Sequence, residues 1–406
     1  MNQSRRSFLT QVGGTLAFSL VYRGLSAETL HLLDDASSDD LFRNRTFSDL
    51  HAHVRLNEWI AKAGLMQSMP GGAEFISKQM NKTKVDLKKC HEAGLDLICV
   101  AHFNPFDEFV SMPSDPNPDA PRQTVRMLDE LEEYVKNEAS AFACVVKSRG
   151  ELQERLAIRS PDTRRRVALI HCLEGAHALG FDIAPLRILA DRGVAMIGVT
   201  HFFTKGLASS GNSIPFFPDA GAPQANIGLM ERGIEVVKEM QKLGILIDIA
   251  HATAPTVEDI LSISTGPLVA SHVSAQALGD HPYSLTDEHI QRINERGGIV
   301  GVILMPYWLS NYTSAAKADE HGSLREVTRT VRYIYKLCGT HKCIGIGSDF
   351  AGYVTGPNDL RELDKIVSLT KALRQEFRGE KNSEEIVSDI MAGNVIRLFT
   401  EHWGNA

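Results

Sequence analysis

Seven residues in this chain have the side chains and the spacing to hold divalent metal ions and move a proton. His51 and His53 are two apart in TFSDLHAH (46–53), and Glu174 follows RVALIHCL. His201 closes VAMIGVTH, His251 closes ILIDIAH, His272 closes PLVASH, and Asp349 closes CIGIGSD. Residues two apart in a strand face one side, so His51 and His53 point together, as two imidazoles must to share one ion. An acid such as Glu174 at the end of an apolar strand is costly unless paired or metal-bound, and its two oxygens can bridge two ions. His251 and His272 end successive runs. Adjacent parallel strands lie about 5 Å apart, so both can grip one ion. Asp349 ends the last run and is suited to carry a proton. His102 also ends a run, LDLICVAH (95–102).

These residues share a context. Each follows a short run that is apolar throughout, which is how a strand buried on both faces of a helix-covered parallel sheet reads. With GIVGVILMPY (298–307) there are eight such runs, and amphipathic segments alternate with them: 75–93, 124–138, 228–243, 286–296 and 384–400. Polar groups at the C-terminal ends of parallel strands are how the active site of a TIM barrel reads in one dimension. The expected fold is α/β, a single (β/α)8 TIM barrel over residues 28–406 with insertions in the βα loops. Phe202–Asn226 is expected to be a lid or substrate wall and Ser111–Arg122 a surface loop.

The chain has 406 residues, 43% hydrophobic and 23% charged, with a net charge of −7. That balance argues against nucleic acid and an anionic membrane surface as partners. Ser4-Arg5-Arg6-Ser7-Phe8-Leu9-Thr10 is a twin-arginine export pattern, followed by a moderately apolar stretch and small residues at Ser26-Ala27. Residues 1–27 are therefore expected to be a signal peptide read by the twin-arginine machinery, which places the protein in the periplasm or outside the cell. The six cysteines form no Cys-x-x-Cys pair. Cys99 and Cys172 are expected in the core, and Cys338 and Cys343 are close enough in sequence to pair.

The order His51-x-His53, Leu-Glu174-Gly-Ala-His, Val-Thr-His201, Asp-Ile-Ala-His251, Ser-His272 and Gly-Ser-Asp349-Phe resembles the membrane (renal) dipeptidases. Those are binuclear zinc enzymes of the amidohydrolase group of TIM barrels. The segments Asp280–Glu288 and Gly393–Phe399 resemble them too, and the likeness runs over roughly residues 46–400. The resemblance implies two Zn2+ per chain, with other divalent metals compatible with the ligands. It implies that His51 and His53 hold the first ion, that Glu174 bridges, and that His251 and His272 hold the second. It implies that His201 contacts the substrate carbonyl, that Asp349 carries the proton, and that a metal-bridging hydroxide hydrolyses the bond of a dipeptide or dipeptide-like amide. A homodimer is implied as well.

Two positions depart from the family's pattern. His53 stands where the dipeptidases usually have Asp, which keeps a competent ligand with one less negative charge. Tyr283 stands where they place an Arg that clamps the dipeptide carboxylate; a phenol offers one hydrogen bond where Arg offers a charged fork. Tyr283 thus keeps alternatives open: a hydrolase of the same fold acting on an N-acyl amino acid, a lactone or a cyclic amide. From another class comes a metal-holding binding protein without turnover, for which a proton carrier at Asp349 would have no use. Lys205 offers a substitute cation but reads more simply as a solvated loop lysine.

Overall fold

The computed structural model of the chain describes residues 47–62, 82–104, 108, 117–157, 165–211, 227–282 and 284–404. The twin-arginine segment, Tyr283 and residues 212–226 of the loop after VAMIGVTH lie outside the described residues. Each of the eight apolar runs contains a strand. In chain order they are β1 (Phe47–Ala52), β2 (Leu95–His102), β4 (Val167–Leu173), β5 (Val194–Gly198), β6 (Leu246–Asp248), β7 (Leu268–Val273), β8 (Ile299–Ile303) and β9 (Ile344–Gly347). A further strand, β3 (Ala143–Val146), was not among them. It is apolar but short and half-exposed, and Lys147 rather than a metal-binding residue follows it.

Neighbouring strands pair in parallel, in the order β1-β2-β4-β5-β6-β7-β8-β9. β3 joins the N-terminal half of β4 through Val146 and Ile170, while β5 pairs the C-terminal half. The path closes where Asp349 donates its N–H to the His51 carbonyl and His53 donates to the Phe350 carbonyl, both at 2.8 Å. An eight-stranded parallel barrel results, with β3 added beside it.

Helices cover the strands, and their ends follow local chemistry. Asp287–Glu295 is capped by the Thr286 hydroxyl, which accepts the His289 N–H. Leu324–Cys338 opens on a capping box of Ser323 and Glu326. Ala120–Tyr134 starts with Pro121 in its first turn, where the missing N–H costs nothing, so the surface loop expected to reach Arg122 stops short of it. Of the segment expected as a helix over 75–93, Leu87–Ala93 is helical within the described residues. The segment expected over 384–400 is interrupted by a π-turn at Asp389–Gly393. Among the described residues no helix is long and apolar enough to cross a membrane.

Inside the barrel, Leu97 and Cys99 of β2 and Ala168, Ile170 and Cys172 of β4 share one core with Leu246, Val269 and Ile299 from the other strands. The alternate residues of β2 and β4 must then face the helices. Cys338 and Cys343 are free thiols, as are the other four cysteines.

Candidate metal centre

The strand ends bring six of the seven residues around the seventh, Glu174. His51 Nε2, His251 Nε2, His272 Nε2 and His201 Nε2 lie 3.4, 3.3, 3.5 and 3.5 Å from Glu174 Oε1. His53 Nε2 lies 3.5 Å from Glu174 Oε2. Asp349 Oδ1 is 3.1 Å from His53 Nε2 and 3.9 Å from His51 Nε2. All of the histidines and Glu174 are buried, whereas the Asp349 side chain is 14% exposed and faces the mouth. His251 and Asp349 adopt left-handed backbone angles, φ 63° and 57°. Such conformations are uncommon outside glycine and concentrate at functional sites, here where the chain turns sharply off a strand.

Two sets of residues that could each hold a metal ion share Glu174: His51, His53, Glu174 and Asp349, and Glu174, His251 and His272. Ligands about 2.1 Å from a tetrahedral ion stand roughly 3.4 Å apart, close to the spacings found here. His51 Nε2 is buried with no hydrogen-bond partner, and His251 Nε2 faces His272 Nε2 at 2.9 Å. Nitrogens converging on one carboxylate in this way fit a pair of cations. Burial would raise the Glu174 pKa, but the charges of His201 and His51 and a hydrogen bond from His251 outweigh it and hold the carboxyl well below its usual range. Burial would lower His51, but Glu174, Asp349 and Asp248 push its pKa up to about 9.

The sequence matches the family described as membrane dipeptidase (peptidase family M19) over residues 44–404. The chain belongs to that family. It is 30% identical over 234 residues to the dipeptidase aclJ of Aspergillus oryzae, covering 58% of this chain and 51% of that one. It is 29% identical over 247 residues to an uncharacterized dipeptidase of Schizosaccharomyces pombe, covering 60% and 56%. The chain thus spans about half the length of the curated relatives it matches. Among solved structures, the fold is similar to the metallopeptidase dipeptidase AC, with a TM-score of 0.71 at 23% identity, over 89% of this chain and 99% of that one. It is also similar to a metallopeptidase from Rhodobacter sphaeroides liganded with a phosphinate mimic of L-Ala-D-Ala, with a TM-score of 0.69 at 21% identity, over 88% and 99%.

Within this member of the family, one strand-end histidine is not at the centre. His102 faces outward by strand alternation and meets His171 Nδ1 at 2.8 Å, and His171 Nε2 is 3.5 Å from Glu132 on the covering helix. Lys205, expected in solvent, is fully buried, with its Nζ 5.8 Å from the Phe203 ring centre. It follows His201 into a loop folded over the barrel mouth rather than out of it.

Other contributors escaped the sequence reading. Glu108, buried, accepts the His201 Nδ1–H at 2.6 Å and the backbone N–H groups of Phe202 and Phe203 at 2.9 and 3.3 Å. It pins the His201 ring with Nε2 toward Glu174. Despite burial, the charges of His201 and His177 hold Glu108 below the usual carboxylate range. Asp49 accepts the backbone N–H groups of His51 and Ser348 at 3.1 and 2.9 Å and the Ser348 hydroxyl, tying β1 to β9 beside Asp349.

The buried histidines outside the ligand sets set the acid limit of the fold. Burial lowers His171, pushes His177 down to about 4, and holds His102 well below its usual range. Between pH 6.5 and about 4 the unfolded chain therefore binds protons at these residues that the folded protein refuses, and stability falls as the pH falls. Asp49 acts oppositely, since burial raises its pKa to about 6 and the folded protein keeps a proton there that the unfolded chain loses. Burial lowers His251 and His272 in the same sense, so the lowered histidines outnumber Asp49, and the urea midpoint of the metal-free protein is expected to drop from pH 6.5 to 4, and less so in a His102→Leu/His171→Leu variant. A midpoint constant across that range would contradict these protonation states.

Proposed function

We propose that this protein is an exported metal-dependent dipeptidase that holds two zinc ions and hydrolyses dipeptides or dipeptide-like amides. The observation that carries the reading is the pair of ligand sets sharing Glu174 at the mouth of a barrel of this family. His51 and His53 would hold one ion, His251 and His272 the other, and Glu174 both. Bound there, two zinc ions would bring the pKa of a water toward neutrality and polarise the scissile carbonyl.

The chain's own groups supply the rest. Burial would lower the His201 pKa, but Glu174 and Glu108 raise it, and as an imidazolium held through Nδ1–H by Glu108 it donates Nε2–H to the substrate carbonyl as negative charge develops on that oxygen. Asp349, beside His53 and open to the mouth, accepts the proton of the attacking water and returns it to the leaving amine nitrogen. Tyr283, at the position of the family's Arg, would meet the substrate end that carries the free carboxylate. The twin-arginine segment would carry the protein to the periplasm or beyond, and the working form would be a homodimer.

The test is hydrolysis of a dipeptide panel by the zinc-loaded protein, with D-residues at the C-terminal position and C-terminally amidated controls. Cleavage that needs the free carboxylate is expected. Silence across the panel with zinc bound would overturn the dipeptidase reading in favour of another amide or ester, with Tyr283 in place of the family's Arg as the reason. The export reading expects active protein in the periplasmic fraction and its retention in the cytoplasm when Arg5 and Arg6 are both replaced by Lys.

A further inference from the structure

Ser271 lies in β7 just before His272, and its side chain is fully buried. Its Oγ stands 2.5 Å from Asp248 Oδ2, 3.2 Å from His51 Nδ1 and 2.8 Å from His272 Nδ1. The two histidines belong to different ligand sets, one on each side of Glu174. A single hydroxyl therefore touches the rear of both.

The hydrogen count decides what that hydroxyl does. A serine hydroxyl offers one hydrogen and two lone pairs. Asp248 Oδ1 accepts the backbone N–H groups of Ala250 and Ser271 at 3.0 and 2.9 Å, which turns Oδ2 toward the Ser271 hydroxyl. The one hydrogen of Ser271 goes to Oδ2. Only its lone pairs remain for the imidazoles, so each imidazole must present Nδ1–H. The serine itself cannot drift. Its carbonyl is packed against Gly301 and Gly347, where an added Cβ would stand 2.0 and 1.8 Å from the Ser271 oxygen.

We propose that Ser271, oriented by Asp248, is a positioning residue shared by both ion sites, fixing His51 and His272 as Nδ1–H tautomers whose Nε2 lone pairs face the cations. The proposal rests on reading the two sets as metal sites. It explains why a buried polar pair sits behind the ligands, where apolar side chains would fill the space as well. Partners of this kind commonly change metal affinity 10–100-fold when removed.

Asp248→Asn is the sharpest variant. The two backbone N–H groups hold the amide oxygen at the Oδ1 position, which places the NH2 group against Ser271 Oγ. The serine then accepts from Asn and must turn its hydrogen toward one histidine Nδ1, which forces that ring to carry its proton on Nε2. Ser271→Ala removes both acceptors with little change in volume.

Three measurements test this. In zinc-loaded protein carrying 15N-histidine, the ring N–H signals of His51 and His272 are expected at Nδ1. Zinc titration against a competing chelator is expected to show one ion bound 10–100-fold more weakly in Asp248→Asn, and both weakened in Ser271→Ala. A ring proton at Nε2 of either histidine in the natural protein would overturn the proposal, as would two ions held at unchanged affinity by folded forms of both variants. The spectrum of the natural protein decides the matter even where a variant does not fold. A failure of the dipeptidase reading shows up separately, as zinc-bound protein without peptide turnover, and leaves these measurements unaffected.

Discussion

Asp349→Asn is expected to keep both ions and to lower kcat by about 10³-fold, within the range of general acid–base contributions, with KM little changed. Asn matches Asp in shape and tolerates the left-handed backbone at φ 57°, so the strand-end turn survives. What disappears is the carboxylate that takes and returns a proton. The assignment is testable because Asp349 Oδ1, 3.1 Å from His53 Nε2, sits at a spacing that suits a metal ligand as well as a hydrogen bond. Metal content measured alongside kcat separates the two. Loss of an ion would make Asp349 a ligand first, and activity within tenfold of the natural protein would remove it from the chemistry.

Glu174→Gln is expected to have the larger effect, with fewer than one ion retained per chain and kcat/KM lowered by at least about 10³-fold. Glu174 Oε1 lies within 3.5 Å of four imidazole Nε2 atoms, and Oε2 faces a fifth. A neutral amide has one oxygen and one NH2 for those positions. It cannot offer two anionic ligand atoms, and its NH2 meets nitrogens that are themselves turned toward a cation. Metal analysis after dialysis against a mild chelator checks the first expectation. Two ions retained would mean that the histidines alone define both sites and that the carboxylate does not bridge.

These two residues were readable before the fold was known, and the reason is local. A strand buried on both faces is mostly apolar along its run, so a metal-binding or proton-carrying residue at its C-terminal end stands out, and in a parallel barrel all such ends share one rim. That reasoning identified His51, His53, Glu174, His201, His251, His272 and Asp349, and they converge. The same pattern does not separate His102, which ends a run and stands outside the centre. The side a strand-end residue faces depends on the register of the whole strand, and Leu97 and Cys99 point inward, which sends His102 to the helices.

The groups behind the ligands carried no comparable mark. Glu108 comes from a segment with no apolar period and meets His201 across 93 residues. Ser271 reaches His51 across 220, and Asp49 reaches Ser348 across 299. An acid or a serine in an apolar run reads the same whether it is a satisfied core residue or a support for a ligand. The candidate ligands thus follow from residue type and position within one strand. Tautomer, ring orientation and proton path depend on which distant residues the barrel closure brings within 3 Å or so, a spacing at which hydrogen bonds form and which no linear pattern encodes.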